Sequence, residues 1–215
     1  MPQSPRLRRF ITVEGGDGAG KSSALDSIRS SIEATGRDVI VTREPGGTAI
    51  AEQIRNLVLS ATSSERLCPQ AETLLLFAAR AQHIENVVRP ALERGAVVLC
   101  DRFTDSSYAY QGAGRGLAMH DIAELEARFV GFRPIGTLLL DVPVSMGCSR
   151  ARTRPGATDR IELEEHVFFE RVRQCYLDRA AAEPDRFVVV DASMPLDEVQ
   201  ASIRAAVETR LSDWA

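Results

Sequence analysis

The sequence predicts an α/β fold: a five-stranded parallel sheet flanked by helices on both faces. Two observations carry this. Five short runs rich in β-branched and apolar residues alternate with segments of helical periodicity, the pattern of parallel strands joined by crossover helices. Each run also leads into polar or acidic residues, namely Glu14, Arg43-Glu44, Asp101-Arg102, Asp141 and Asp191. In open sheets of this kind ligands bind at that carboxyl edge. Five such ends cannot all be catalytic, and Asp141 and Asp191 read as helix N-caps.

The first strand, Phe10 to Val13, runs into Glu14-Gly15-Gly16-Asp17-Gly18-Ala19-Gly20-Lys21-Ser22 and then a helix. Gly15, Gly20, Lys21 and Ser22 fit G-x-x-x-x-G-K-[ST], the phosphate-cradling P-loop, and the strand before and helix after supply its required context. Glycines let consecutive N–H groups turn inward around an anion. The helix that follows aims its partial positive end at the same point. Lys21 can reach the β- and γ-phosphates and the Ser22 hydroxyl can ligate Mg²⁺. This predicts a P-loop NTPase fold that binds a nucleoside triphosphate.

Ala24, Leu25, Ile28 and Ile32 then repeat at helical spacing until Gly36. Val39 to Thr42 is the second strand, and a helix follows from about Ile50 to Leu59. Residues 61–70 read as a loop and about Ala71 to Glu93 as one long helix. Ala96 to Cys100 forms the third strand. Ser106 to Gly116 reads as a short helix followed by a mobile loop, and Asp121 to Val130 as a helix. The fourth strand is Thr137 to Leu140, with a helix from Val144, and residues 150–162 then break the pattern with four arginines and a Pro-Gly pair. A helix over about Glu164 to Ala182, the fifth strand Phe187 to Val190 and a last helix complete the chain.

Length and composition bound the rest. A chain of 215 residues fits one domain with an inserted lid: residues 1–9 read as a frayed basic tail, 10–215 as a single P-loop domain, and about 150–162 as the lid. Hydrophobic content of 44% and charged content of 26% are those of an ordinary globular protein. The net charge of -4 argues against broad attraction to nucleic acid. No run approaches ~18 apolar residues and no apolar segment follows the N-terminal arginines, so neither a membrane span nor secretion is expected. Cys68, Cys100, Cys148 and Cys175 lie far apart without metal-site spacing, which suggests a reducing, cytoplasmic setting. His83, His120 and His166 are isolated and read as surface or boundary residues.

A P-loop does not by itself separate a kinase from a GTPase switch or a motor. No N-K-x-D base-reading segment is present, and larger ATPase machines need more chain. A small kinase needs a second pocket for an acceptor and a lid that excludes water, and the arginine-rich segment around Pro155-Gly156 is a natural lid. The competing readings are a kinase for another deoxynucleotide or deoxynucleoside and a P-loop module that only senses nucleotide.

Beyond the P-loop, four further segments are distinctive: Thr42-Arg43-Glu44-Pro45-Gly46-Gly47-Thr48, Phe77-Ala78-Ala79-Arg80, Asp101-Arg102-Phe103 with Ser106 to Gly112, and Asp159-Arg160-Ile161-Glu162. With them the chain closely resembles the bacterial thymidylate kinases over nearly its whole length. The resemblance implies a nucleoside-monophosphate-kinase-like fold, ATP and dTMP as substrates, dTDP and ADP as products, Mg²⁺, and a homodimer packed through helices.

The resemblance also implies residue roles. Asp17 matches a carboxylate that meets the acceptor's 3′-hydroxyl. Such a charge beside bound phosphates would be repelled unless a hydroxyl or Mg²⁺ lay between them. Arg102 matches the clamp on the acceptor phosphate, a job its planar fork suits, with an ion pair to Asp101 as the alternative. Asp101 matches a Mg²⁺-water ligand, or else serves as a structural N-cap. Arg80 matches the residue that reads the thymine edge. Leu76 falls where the family places an aromatic ring under the base, with Phe77 beside it, so the register of stacking is open and Phe77 could equally be core. Ser107 and Gln111 match base contacts, Tyr110 a ring that excludes a ribose 2′-hydroxyl, and Pro45 the pocket wall, while Arg43 holds that loop.

The lid follows from what the P-loop omits. Its four variable positions, Gly16, Asp17, Gly18 and Ala19, include no basic residue, although phosphoryl transfer needs positive charge over the moving group. The resemblance therefore favours Arg154 as the transition-state arginine, places Arg150 and Arg160 nearer the ATP, and gives Glu162 a part in holding the metal or the lid.

Overall fold

The computed structural model describes residues 9–60, 65, 67–153 and 159–214, with the backbone alone for 211–214. Five strands form one sheet: β1 (Phe10–Gly15), β2 (Val39–Arg43), β3 (Val97–Asp101), β4 (Gly136–Asp141) and β5 (Phe187–Asp191). All pairs are parallel and the order is β2-β3-β1-β4-β5. Connections serve one side of β1 first and then the other, which opens a crevice above its carboxyl end.

Strand alternation divides the core into two layers. Ile11, Val13, Leu99, Leu138 and Leu140 face α1 (Lys21–Glu33) and α9 (Leu196–Trp214), whose Ile28, Ile32, Ile203 and Val207 close that side. Phe10, Val98, Cys100 and Leu139 face the other way, toward α3 (Pro69–His83), α4 (Arg89–Glu93) and α8 (His166–Ala182). Burying each large apolar side chain contributes about 1.5–3 kcal/mol. The remaining helices are α2 (Ala49–Leu59), α5 (Thr104–Ser107), α6 (Met119–Phe129) and α7 (Val144–Arg152). Arg9, the first described residue, is already tied in: its carbonyl accepts from Val98 N at 2.8 Å and its guanidinium donates to Gly95 O at 2.5 Å.

Three departures from expectation have physical causes. The long helix begins at Pro69, which suits a first turn, and a π turn at Ile84–Val88 interrupts it. Pro90 has no N–H to donate and its ring would collide with a carbonyl one turn earlier; the widened turn absorbs this. Ser106 to Gly116, expected as a short helix and then a mobile loop, instead holds the end of α5 followed by a buried π-helical run, Tyr108–Gly114. Tyr108 is tied to Glu126 at 2.8 Å, and a Cβ at Gly114 would lie 2.5 Å from the Phe168 ring, so its glycine serves close packing. Asp141 and Asp191 do not cap the helices that follow. Asp141 takes two N–H bonds from Arg173 of α8 (2.7 and 2.9 Å), and Asp191 accepts from the backbone and hydroxyl of Ser193. Pro143 instead precedes α7.

The carboxyl ends of β1 and β3 are joined by one buried acid. Glu14 accepts from Phe103 N (2.7 Å) and from the hydroxyls of Ser106 (2.6 Å) and Tyr176 (2.9 Å). It thereby fixes the β3–α5 connection against β1 and α8. Burial, and then the charge of Asp105, push its carboxyl up to about 7 despite Arg102 and these hydrogen bonds. An acid raised above its ordinary 4.5 binds a proton more readily when folded, so its stabilising contribution is full below about 4.5 and lost as pH rises through about 7. The stability of Glu14→Gln relative to wild type is therefore expected to rise between pH 5 and pH 8, by more than about 1 kcal/mol at about 1.4 kcal/mol per pKa unit. Denaturant unfolding across that range checks this, and a gap that does not change with pH would contradict it.

Candidate active site

The loop between β1 and α1 has the conformation its glycines allow. Gly20 precedes α1 at φ 90°, and no side chain caps the helix, which leaves the first-turn N–H groups for a ligand. Gly18 packs backbone to backbone on α7: a Cβ there would lie 2.0 Å from Gly147 O. Lys21 folds back over the loop, donating to Gly16 O (3.1 Å) and Gly15 O (3.3 Å). Burial, and then Arg102, lower its ammonium to about 8, with Asp101, Asp17 and Glu14 opposing. Gly15 and Gly16 continue the loop from β1, and Ala19 is buried beneath it.

Directly beside the loop stands Arg102. Its Nη2 donates to Asp17 Oδ1 at 2.8 Å and to Tyr110 Oη at 3.1 Å; its Nη1 donates to Ser106 Oγ and Tyr176 Oη. The alternative of an Arg102–Asp101 pair is therefore not realised. The reason is geometric: Arg102 has φ 67°, which turns its side chain away from its neighbour on the strand. The Tyr110 hydroxyl in turn donates to Asp17 Oδ2 at 3.4 Å, and the Arg102 guanidinium lies 4.9 Å from the Tyr110 ring centroid.

A cavity opens from this cluster, and both Asp17 and Arg102 line it. Its walls include Pro45, Leu76, Arg80, Ser107, Tyr110 and Gln111, so most residues expected around the acceptor meet in one place. A concave site with apolar walls and a few convergent polar groups suits a small-molecule ligand. Leu76 lines the cavity, whereas Phe77 is 3% exposed and sits under the Arg80 guanidinium, 4.7 Å from ring centroid to charge. The neighbouring register turns one toward the cavity and the other into the core.

Arg80 is held from three directions: Nε donates to Glu44 (2.6 Å), Nη1 to Ser107 Oγ (3.1 Å) and Nη2 to Phe103 O (3.1 Å). The other Glu44 oxygen meets His83 Nδ1 at 2.9 Å, and His83 Nε2 meets Thr42 Oγ1 at 2.7 Å. His83 is thus fully buried rather than at the surface, because a carboxylate and a hydroxyl satisfy both ring nitrogens. His120 and His166 are exposed. Arg43 holds its loop as expected: it bonds Glu52, which also accepts from Gly47 N.

Ser22 and Asp101 line a shared hollow at the foot of α1. Asp101 Oδ1 is buried and has no hydrogen-bond partner among the described residues, so one acceptor of this carboxylate is unpaired. One hydroxyl and one carboxylate suit Mg²⁺, which keeps several waters and the phosphates of its nucleotide as ligands. No cluster of three acidic or soft ligands occurs among the described residues, so the donor set fits a nucleotide-borne ion rather than an all-protein cage.

The lid expectations divide. Arg154 lies outside the described residues. Arg150 stands beside the P-loop, donating to Ala192 O at 2.7 Å, and lines a second hollow with Gly18, Ala19, Met194 and Leu196. Arg160 departs from its expected place near ATP: it donates to Val58 O at 3.0 Å, beside the acceptor cavity that Val58 lines, and pairs with the buried Glu72. Three further bonds explain this: Arg160 N donates to Leu59 O, and Asp159 Oδ1 accepts from the N–H groups of Ile161 and Glu162. The Glu162 carboxylate accepts from Asp159 N, closing that turn.

Sequence reasoning missed Arg55, Glu72 and Tyr176. Arg55 donates to Pro45 O at 2.9 Å and lines the cavity, and Tyr176 reaches Arg102 from a helix 74 positions later. Their partners lie too far along the chain for any local pattern, although the acid of Arg43-Glu44-Pro45 could have flagged a buried partner for Arg80.

The geometry can be set beside known proteins. The family model for thymidylate kinase matches residues 13–203. A protein named thymidylate kinase from Alcanivorax borkumensis is 57% identical over 201 residues, covering 93% of this chain and 96% of that one. One of the same name from Pseudomonas fluorescens is 53% identical, covering 94% and 96%. The crystal structure of thymidylate kinase from Ehrlichia chaffeensis superposes with a TM-score of 0.74 at 29% identity, over 95% of this chain and 98% of that one. The family model and these relatives cover most of the chain, and the chain belongs to the thymidylate kinase family.

Proposed function

We propose that the protein transfers the γ-phosphoryl of ATP to dTMP, giving dTDP and ADP, with Mg²⁺ accompanying ATP. One observation carries this: Asp17 belongs both to the triphosphate loop and to the wall of the acceptor cavity, with Arg102 between the two. Two anionic substrates can therefore meet across that pair. In-line attack needs no strong general base, because the acceptor phosphate is already an anion; positioning and charge supply the catalysis.

In this reading the N–H groups of the loop and Lys21 hold the ATP phosphates. Arg102 holds the acceptor phosphate by exchanging part of its contact with Asp17 for phosphate oxygens, and Asp17 turns to the 3′-hydroxyl. Arg80, Ser107 and Gln111 receive the base, Leu76 and Pro45 pack on it, and the Tyr110 ring fills the space of a 2′-hydroxyl. The apolar hollow of Met194 and Leu196 takes the adenine, with Arg150 alongside. Ser22 and Asp101 would hold Mg²⁺, which when bound would supply positive charge beside the ATP phosphates. The segment 150–162 acts as the lid over a single P-loop kinase domain, with Arg154 as the transition-state cation and Glu162 keeping the lid's return turn. The exposed Leu57 of α2 and Leu74 of α3 support a homodimer through that helix pair. Four free cysteines fit a cytoplasmic enzyme, and no described helix is long and apolar enough to cross a membrane.

Incubation with ATP, Mg²⁺ and a panel of dTMP, dUMP, thymidine, dCMP and AMP is expected to give dTDP as the preferred product. Phosphorylation of thymidine with dTMP untouched would overturn the acceptor assignment. Arg154→Ala should lower kcat about 10³-fold, the range of an arginine over the transferring group, while KM for ATP changes little; an unchanged kcat would remove that role. At pH 9 Lys21 is largely neutral in the free protein, so ATP binding is expected to take up a proton. Calorimetry in buffers of different ionisation enthalpy reads that uptake, and its absence would show that Lys21 does not meet the phosphates.

A further inference from the structure

Glu72, in the first turn of α3, is 1% exposed and belongs to none of the motifs that define the site. Its Oε1 accepts from Gln111 Nε2 at 2.7 Å. Its Oε2 pairs with Arg160, and Arg115 Nε lies 3.4 Å from the same oxygen. Two guanidiniums thus compensate one buried carboxylate. A carboxylate only accepts, so the Gln111 amide must turn its NH₂ toward Glu72 and its carbonyl away. Gln111 lines the acceptor cavity, and its Oε1 has no hydrogen-bond partner among the described residues.

We propose that Glu72 is a positioning residue for base selection: by fixing the Gln111 amide, it makes the cavity offer an acceptor oxygen to a ring N–H. The proposal rests on the acceptor reading above. Thymine and uracil carry N–H at ring position 3 and can donate to that oxygen. Cytosine carries a lone pair there, so two acceptors meet and neither is satisfied. Selection against cytosine nucleotides then depends on a residue that does not itself touch the base. The same carboxylate holds Arg160, so the Asp159-Arg160 turn and the base-reading amide share one anchor.

The test is a set of dissociation constants for dTMP and dCMP, by calorimetric competition, in wild type, Glu72→Gln, Gln111→Ala and the double variant. An amide at position 72 can donate or accept, which frees Gln111 to turn over. Glu72→Gln is expected to reduce the preference for dTMP over dCMP at least tenfold, yet to leave the preference of Gln111→Ala unchanged within twofold. Loss of equal size in both backgrounds, or no loss in either, would overturn the proposal. Because Glu72→Gln disturbs two buried arginines, Gln111→Asn serves as an independent variant. It keeps the amide and all of Glu72's ion pairs but is one methylene too short for the 2.7 Å bond. It should show the same tenfold loss, and wild-type preference in Gln111→Asn would also overturn the proposal. Wild-type protein that binds neither nucleotide would instead overturn the acceptor reading itself.

Discussion

Arg102 adopts a left-handed backbone conformation, φ 67°, at a position where no glycine relieves it. Such a residue costs on the order of 1–3 kcal/mol and persists only where its surroundings over-determine it. Here they do. Its N–H donates to Val13 O at 2.9 Å, its guanidinium meets Asp17, Ser106, Tyr110 and Tyr176, and Glu14 binds the next residue's N–H. The ends of β1 and β3, the phosphate loop, the π-helical segment and α8 all converge on that one side chain. Relaxing it to an extended conformation would swing the guanidinium out of the crevice and separate the two halves of the site.

The cluster around Arg102 also explains the unusual proton affinities nearby. Glu14 is raised toward 7 and Lys21 lowered toward 8 chiefly by burial, so both titrate far closer to neutrality than an exposed acid or amine. Replacing a hydrogen-bonded buried set by partial sets is expensive, because each lost member leaves a polar group unsatisfied. The acceptor end is built on the same logic. Arg80 is fixed by Glu44, whose second oxygen is spent on His83, and Gln111 by Glu72, whose second oxygen is spent on Arg160. Two carboxylates, neither a proposed substrate contact, orient two of the side chains proposed to read the base.

Much of this was legible in the chain. The P-loop lies between β1 and α1 as its spacing requires, all five strands occur where β-branched runs end in polar residues, and the segments around Arg43, Arg80 and Arg102 meet in one cavity. What stayed hidden depends on distance along the sequence. His83 looked isolated because Glu44 lies 39 residues away, and Glu72 carried no signal because Gln111 and Arg160 lie 39 and 88 residues off. The glycines of Ser106 to Gly116 suggest a loop after a short helix, and only the closeness of Gly114 to Phe168 shows that this glycine makes room for packing. Pro90 was visible throughout; its consequence, a π turn before it rather than a break, needed the surrounding helix contacts. Asp141 could have capped α7, but Arg173 from α8 competes for both of its oxygens.

The account stands or falls on Arg102 as the group that holds the acceptor phosphate, and that can be isolated by comparing two ligands differing only in that phosphate. Calorimetry of Arg102→Gln without ATP should show dTMP binding at least 100-fold weaker than to wild type, as expected for loss of about 3 kcal/mol of charge-assisted hydrogen bonding. Thymidine, which carries no phosphate, should bind wild type and variant alike. Unchanged dTMP affinity, or an equal loss for both ligands, would contradict the account.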